Sequence, residues 1–296
     1  MLRNLKIGRL HMGSLMVVIA ASMWGSFGLF VRALDYTPET ILFYRFLFGL
    51  IGSLIYTAVR GDKAWVKPVL THWKWMFLPA SLTGLSWLAY TYSLGLTSVS
   101  NAAFLIYTAP VFTVIFAPLV LKERVELRTF AALLISITGT VAIMGYSNLS
   151  GMGSNLWGDL IALCGGLIYG FVPLALKRVP PVLLGIPSNI LMSLYITIAL
   201  APFALMAGNR IELKGLLLLM VLGFLHQTLA VTLMHLGLRE IKAQYASILT
   251  YAEPLAATLM AALFLYEGIT WGSLLGGALI ITGGLIIVLR RTPAAT

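Results

Sequence analysis

Ten apolar stretches, separated by short polar links, run the whole length of this chain. Each is close to the roughly 20 residues that an α-helix needs to cross the hydrocarbon core of a bilayer. We number them segments 1 to 10, at residues 12–33, 39–59, 74–95, 99–121, 127–146, 155–177, 182–207, 215–238, 243–265 and 270–289. The pattern predicts an all-α membrane protein with ten transmembrane helices.

The composition supports the same prediction. Of the 296 residues, 59% are hydrophobic and 10% are charged, whereas a soluble domain carries about 25% charged residues. Lipid offers the backbone no hydrogen bonds, so a spanning segment must be a helix or belong to a closed barrel. The strands of a barrel would alternate in polarity, and these continuous apolar stretches do not.

The basic residues lie almost entirely on one side of the predicted membrane. Of the 20 lysines and arginines, 16 fall on the N-terminal side, three (Arg32, Arg210 and Lys214) fall on the other side, and Arg45 lies within segment 2. Cytoplasmic links carry such an excess, so we expect a multi-pass protein of the inner cell membrane with both termini cytoplasmic. The net charge of +10 is then a topology signal, and it predicts no nucleic-acid partner.

The two halves of the chain repeat each other at an offset of about 144 residues. The matching motifs are Tyr107-Thr108-Ala109-Pro110 with Tyr251-Ala252-Glu253-Pro254, Glu123 with Glu267, and Trp24-Gly25 with Tyr169-Gly170. Five segments per half is an odd number, so the second half enters the membrane from the opposite side. We predict two inverted five-helix repeats, residues 1–150 and 151–296, around a central cavity, with Glu123 cytoplasmic and Glu267 external.

These features resemble the drug/metabolite transporter superfamily, EamA type. The resemblance rests on the five-plus-five repeat, on the Tyr-x-x-Pro…Glu element in segments 4 and 9, and on the glycine-rich segment 10. It covers essentially the whole chain. It implies a secondary transporter that exports amino acids or related small metabolites by alternating access, with the small-molecule substrate in a cavity between the halves. Whether protons drive the export stays open.

Charged groups at membrane depth are costly and usually mark a pathway. Glu253 lies near the predicted midplane of segment 9, where it is a candidate partner for a substrate amine or a carrier of protons. His226 lies at a matching depth in segment 8, so the two side chains form a candidate pair for a cation or a proton. Arg45 is a candidate ligand for a carboxylate. Each also has a structural alternative: a bonded carboxylate, a bonded core histidine, or an arginine that extends to the interface.

The other candidate cavity residues are amides and aromatic residues within the predicted membrane slab. They are Asn101 and Gln227, together with Trp24, Trp87, Tyr90, Tyr107, Tyr169 and Tyr251. Amides also join helices, and buried aromatic rings often only pack. Pro110 and Pro254 are candidate hinges, because each removes a backbone donor within a segment.

Other function classes fit the sequence less well. No phosphate-binding Gly-x-x-x-x-Gly-Lys loop occurs, and the ten acidic residues are scattered rather than paired. We therefore expect no catalytic residues, no metal site and no cofactor. The alternatives that remain are a transporter of another small organic solute (a drug, nucleoside or sugar) and, less well supported, an integral membrane enzyme. The expected assembly is a monomer or a weak homodimer in the bilayer.

Overall fold

The computed structural model describes residues 2–27, 30, 33–61, 63–97, 99–144, 155–264 and 270–289. Regular secondary structure in this part of the chain is helical throughout. Glu267 and Arg32, which the sequence places on the external side, lie outside the described residues, so their predicted positions stay predictions.

The helices follow the ten segments, and several segments contain more than one helix. Their bounds are Leu2–Trp24 (segment 1), Pro38–Arg60 (segment 2), Phe77–Ser93 (segment 3, preceded by Val66–His72 and a 3-10 turn at Trp73–Met76), Val99–Ile106 and Ala109–Leu121 (segment 4), Leu127–Met144 (segment 5), Leu156–Arg178 (segment 6), Ile186–Met206 (segment 7, preceded by a 3-10 turn at Pro181–Leu183), Leu213–Val221, Leu222–Ala230 and Val231–Glu240 (segment 8), Ala243–Leu249 and Ala252–Phe264 (segment 9), and Trp271–Val288 (segment 10).

Seven helical stretches in the described part are long and apolar enough to cross a membrane, in segments 2, 4, 6, 7, 8, 9 and 10. The apolar helix of segment 5 is shorter, at Leu127–Ile143, and that of segment 3 has 17 residues. The helix of segment 1 begins at Leu2, before its predicted start, and ends at Trp24. The chain is thus a helical, multi-pass membrane protein, and the count of ten spans stays a prediction.

The contacts between segments follow the repeat: for the pairs below, where two segments pack together, their counterparts in the other half also pack together. Segment 3 packs on segment 6 as segment 1 packs on segment 8, and segment 4 packs on segment 6 as segment 9 packs on segment 1. Segments 2 and 7, 4 and 9, and 5 and 10 pack on their own counterparts. The sequence repeat is therefore also a repeat of packing, and its two copies interleave to form one core.

Two repeated glycines bring backbones together at the centre of this core. A Cβ on Gly25 would lie 2.8 Å from the carbonyl oxygen of Glu253, and a Cβ on Gly170 would lie 2.8 Å from that of Ala109. Ala109 and Glu253 are themselves counterparts at the offset of 144 residues. The glycines thus let segments 1 and 6 lie directly against equivalent points of segments 9 and 4.

Segments 4 and 9 are interrupted at those points. The first helix of segment 4 ends at Ile106 and the next begins at Ala109, while segment 9 is interrupted between Leu249 and Ala252. Pro110 and Pro254 follow the interruptions, and neither can donate to the carbonyl four residues earlier. The turns tighten to i→i−3 bonds, with Val111 N–H donating to Thr108 at 2.9 Å and Glu253 N–H donating to Thr250 at 2.9 Å.

The middle of segment 8 is a π-helix at Leu222–Ala230, which the sequence analysis did not predict. Its wider turn lies against segment 2. A Cβ on Gly223 would lie 2.2 Å from Cβ of Phe48, so this contact requires glycine. Helices of this type are rare and occur often at functional sites, and this one carries His226 and Gln227.

Glycine at position 170 is expected to be required for stability. Gly170→Ala places a methyl group against backbone atoms of segment 4, and such overpacking typically costs about 1–3 kcal/mol. We expect a lower melting temperature of the purified protein in detergent, measured by loss of the monodisperse peak after heating.

Gly84→Ala is the matched control. Its Cβ would lie 3.4 Å from a side-chain atom of Ile196, which is ordinary contact, and alanine has the higher helix propensity. Equal destabilisation by both variants would contradict the close backbone approach.

Candidate functional site

Two neighbouring cavities lie between the halves of the protein, around the interruptions of segments 4 and 9. The first, here called the carboxylate cavity, has a volume of about 150 Å³. Its lining consists of Trp24, Gly25, Phe27, Ser86, Trp87, Tyr90, Ile106, Tyr107, Ala109, Pro110, Tyr169, Thr250, Glu253 and Ala257. Both glycine-packed segments and both interrupted segments therefore contribute to one chamber.

The second, here called the arginine cavity, is smaller, at about 50 Å³. Its lining consists of Trp24, Arg45, Thr83, Trp87, Ala109, Pro110, Tyr169, Val172, Pro173, Leu176, Met192, Gln227, Val231, Met234, His235, Ser247 and Thr250. Trp24, Trp87 and Tyr169 line both cavities, as do Ala109, Pro110 and Thr250. These shared residues form the layer between the two chambers.

Glu253 contributes the one carboxylate in the described lining of either cavity. It lies in the first turn of the helix that follows the interruption of segment 9. Arg45 is close enough to interact with its charge, as are Tyr90 and Tyr169, and the hydroxyl of Tyr107 is its hydrogen-bonding neighbour. A carboxylate in such surroundings can bind a cation or a proton.

Arg45 is 1% exposed and lines the arginine cavity rather than the carboxylate cavity. Its guanidinium carbon lies 4.1 Å from the centroid of the Trp87 ring and 5.0 Å from that of Phe27. Among the described residues, its Nε and Nη1 atoms have no hydrogen-bond partner, and no carboxylate lies within 4.0 Å. The cation is stabilised by ring faces, and it does not extend to the interface.

His226 lies beside the cavities and lines neither. Its Nε2 and the Ser26 hydroxyl are 2.8 Å apart, and its ring packs against Phe27 and Phe30. Its carbonyl accepts a hydrogen bond of 3.1 Å from the Trp24 indole. No hydrogen bond or ion pair joins His226 to Glu253 in the described structure, so the predicted pair is not in contact in this conformation.

The amides mainly join helices. Gln227 donates to Asn189 Oδ1 at 2.9 Å, and Asn189 donates to the Gln227 carbonyl at 2.9 Å and to Ser53 at 3.0 Å. Gln227 also belongs to the lining of the arginine cavity. Asn101 lies outside both linings and is 1% exposed, with Thr97 as one hydrogen-bonding neighbour. The bonds between Gln227 and Asn189 satisfy buried groups that would cost free energy if left unpaired.

The repeated tyrosines have different roles. The Tyr251 hydroxyl donates to the Tyr107 carbonyl at 2.9 Å, and its ring is almost fully buried outside the cavity linings. That carbonyl lies in the interruption of segment 4, where Val111 N–H bonds to Thr108 instead. Tyr251 thus satisfies an acceptor that the interruption leaves open, while the Tyr107 side chain faces Glu253.

The prolines and several unpredicted residues complete the site. Pro110 lines both cavities, and Pro254 lies directly behind Glu253 without lining either. The sequence analysis missed Thr250, which lines both cavities, and Phe27, Ser86 and Ser247, which line one each. Thr250 precedes the repeated Tyr-x-x-Pro motif directly, so that motif was a signal for it. The other three carry no sequence signal that separates them from packing residues.

Comparison with known proteins identifies the family of the chain. The pattern of the EamA-like transporter family matches the chain twice, at residues 11–145 and 156–289. An uncharacterized transporter of Archaeoglobus fulgidus is 28% identical over 287 residues, which cover 93% of this chain and 95% of that protein. The uncharacterized inner membrane transporter YicL of Salmonella typhimurium is 25% identical over 98% of this chain and 100% of its own length.

The fold also has a solved relative. A crystal structure superposes with a TM-score of 0.80, covering 94% of this chain and 97% of that chain at 18% identity. The double family match confirms the resemblance drawn from the Tyr-x-x-Pro…Glu element, and the relatives are named transporters rather than enzymes. This helical chain, with two repeats around a central site, is a membrane transporter and belongs to the EamA-like transporter family.

Proposed function

We propose that the protein is a secondary transporter that exports amino acids or related small metabolites by alternating access. The observation that carries the proposal is the pair of cavities separated by one layer of shared residues, Trp24, Trp87 and Tyr169 among them. A solute could move from one cavity to the other if that layer rearranged. Because both halves of the site belong to one chain, a monomer is the proposed working unit.

The proposed movement is an exchange of roles between residues 1–150 and 151–296. Transporters with inverted repeats work by moving one repeat against the other around a fixed site. The exchangeable packing of the segments supports this proposal, as do the equivalent interruptions at Tyr107 and Tyr251. In the opposite state, Tyr107 would donate to the Tyr251 carbonyl, and the Tyr251 side chain would face the cavity.

The proposed binding chemistry starts at Glu253. The ammonium group of an amino acid would pair with this carboxylate, and the surrounding rings would hold an apolar side chain. Arg45 remains the candidate partner for the substrate carboxylate, which it would meet through the arginine cavity as the solute passes. If protons drive the export, Glu253 is the proposed group that binds them.

Inverted repeats require equivalent links to lie on opposite faces of the membrane. Lys63, between segments 2 and 3, and Arg210, between segments 7 and 8, are exposed and occupy equivalent links. In a Cys164→Ala background, we expect an impermeant thiol reagent to label Lys63→Cys only from the cytoplasm and Arg210→Cys only from outside. Arg124→Cys serves as a second cytoplasmic reference. Labelling of positions 63 and 210 from the same face would exclude the inverted arrangement.

Transport should depend on the charge of Glu253. A hydrogen bond to a charged group contributes roughly 1.5–3 kcal/mol, so Glu253→Gln is expected to lower substrate exchange in proteoliposomes by about 10- to 150-fold. The control is Glu240→Gln, whose side chain pairs with Arg239 outside both cavity linings. Exchange at the unaltered rate in Glu253→Gln would disprove the assigned role.

The Tyr251 hydroxyl should favour the conformation described here. In Tyr251→Phe, the Tyr107 carbonyl loses its donor, which costs about 1–3 kcal/mol and shifts the population by about 5- to 150-fold. We expect the rates of thiol labelling of Ser86→Cys in the carboxylate cavity and of Ser247→Cys in the arginine cavity to change in opposite directions. Tyr56→Phe on the exposed face of segment 2 is the control. Unchanged labelling at both cysteines would contradict the exchange of tyrosine roles.

A further inference from the structure

The carboxylate cavity has an unusual balance of charge. Its described lining contains one acidic side chain, Glu253, and no lysine, arginine or histidine. Arg45 and His235 both line the arginine cavity instead. A free carboxylate of a solute in the carboxylate cavity would therefore face Glu253 with no cationic side chain in the same lining.

The remaining surface of this cavity is largely aromatic. Six rings line it, from Trp24, Phe27, Trp87, Tyr90, Tyr107 and Tyr169. The rings brace one another, with Phe27 and Trp87 edge to face at 5.1 Å and Trp87 and Tyr90 at 6.0 Å. Ring faces carry negative potential and attract cations. A carboxylate within such a cluster favours an organic cation.

The protein's own arginine provides a second observation for this preference. The Arg45 guanidinium is stabilised at 1% exposure by the rings of Trp87, Phe27 and Phe46, with no carboxylate of the described residues within 4.0 Å. The same ring cluster therefore already holds one buried cation without an ion pair. Arg45 stacks on Trp87 and lines the arginine cavity rather than the carboxylate cavity, and its charge still interacts with that of Glu253.

The size of the cavity limits what can enter. A cavity of about 150 Å³ accommodates a ligand about the size of benzene. The chamber thus matches an ammonium group with one ring or a few small alkyl arms.

We propose that the carboxylate cavity recognises organic amines, through the ammonium group at Glu253 and the surrounding rings, and that a substrate carboxylate is dispensable for binding. This inference rests on the proposed transport function and narrows its substrate class. Monoamines with an aromatic ring, such as phenethylamine, and small alkylammonium ions, such as tetramethylammonium, are the predicted ligands. Amino acids bind here through the same ammonium group.

Three solutes with the same ring separate the amine from the carboxylate. Phenethylamine has only the amine, 3-phenylpropionate has only the carboxylate, and phenylalanine has both. We expect phenethylamine to bind the purified full-length protein at least as tightly as phenylalanine in titration calorimetry, and 3-phenylpropionate not to bind. In proteoliposome counterflow, labelled phenethylamine should exchange against the unlabelled amine.

Variants then test the rings and the carboxylate separately. Tyr90→Leu removes one ring face and should weaken binding of tetramethylammonium by about 2- to 30-fold, the range of a single cation–π contact. Tyr90→Phe keeps the ring and should recover affinity relative to Tyr90→Leu. Glu253→Gln should weaken binding of both phenethylamine and tetramethylammonium. Tyr56→Leu, the same change on the exposed face of segment 2, controls for loss of fold.

The outcomes distinguish this inference from the proposed function. Binding and exchange of phenylalanine without binding of phenethylamine would overturn the inference and leave the transport proposal standing. Binding of both amines without exchange of any solute would support the inference and contradict transport. Failure of phenethylamine and tetramethylammonium to bind the folded protein would overturn the inference. So would binding by Tyr90→Leu and Glu253→Gln that is as tight as binding by the unaltered protein.

Discussion

In a bilayer, each backbone N–H and C=O group needs a partner within the protein, because lipid supplies none. Pro110 and Pro254 break this rule locally, since each removes a donor from the middle of a segment. The protein retains both interruptions in its interior. At the first, Val111 N–H donates to Thr108 instead of to Tyr107, and the Tyr251 hydroxyl donates to the Tyr107 carbonyl at 2.9 Å. The cavities lie beside these interruptions. Irregular backbone is tolerated at membrane depth only where it is buried in the protein or lines a cavity.

Close packing places the interruptions against each other. At Gly25 and Gly170, segments 1 and 6 approach segments 9 and 4 so closely that a Cβ atom would not fit between the backbones. Small residues at helix interfaces have this effect in membranes. Because the two contacts are equivalent in the repeat, the protein contains two similar close contacts, each beside an interrupted segment. The one pronounced chemical difference between them is Glu253, whose counterpart is Ala109.

The two charged side chains of the site have different surroundings. Arg45 is surrounded by the rings of Trp87, Phe27 and Phe46, whereas Glu253 lies among tyrosines with a cavity in front of it. A guanidinium group stacks on rings because it is planar and weakly hydrated, so it can stay buried without an ion pair. The Glu253 carboxylate faces a cavity instead, and for this reason we place it at the centre of the proposed binding site.

The sequence by itself determined the class of protein, the repeat and the family, and it pointed to both prolines and to Glu253 and Arg45 as polar residues of the site. These follow from the length of apolar stretches and from spacing along the chain. Only the tertiary structure decided that Gln227 joins helices while lining the arginine cavity, and that His226 and Asn101 lie outside both linings. It also placed Arg45 and Glu253 in the linings of different cavities and revealed the π-helix at Leu222–Ala230. Sequence spacing reports depth along a helix, but the direction of a side chain has meaning only once the neighbouring helices are in place.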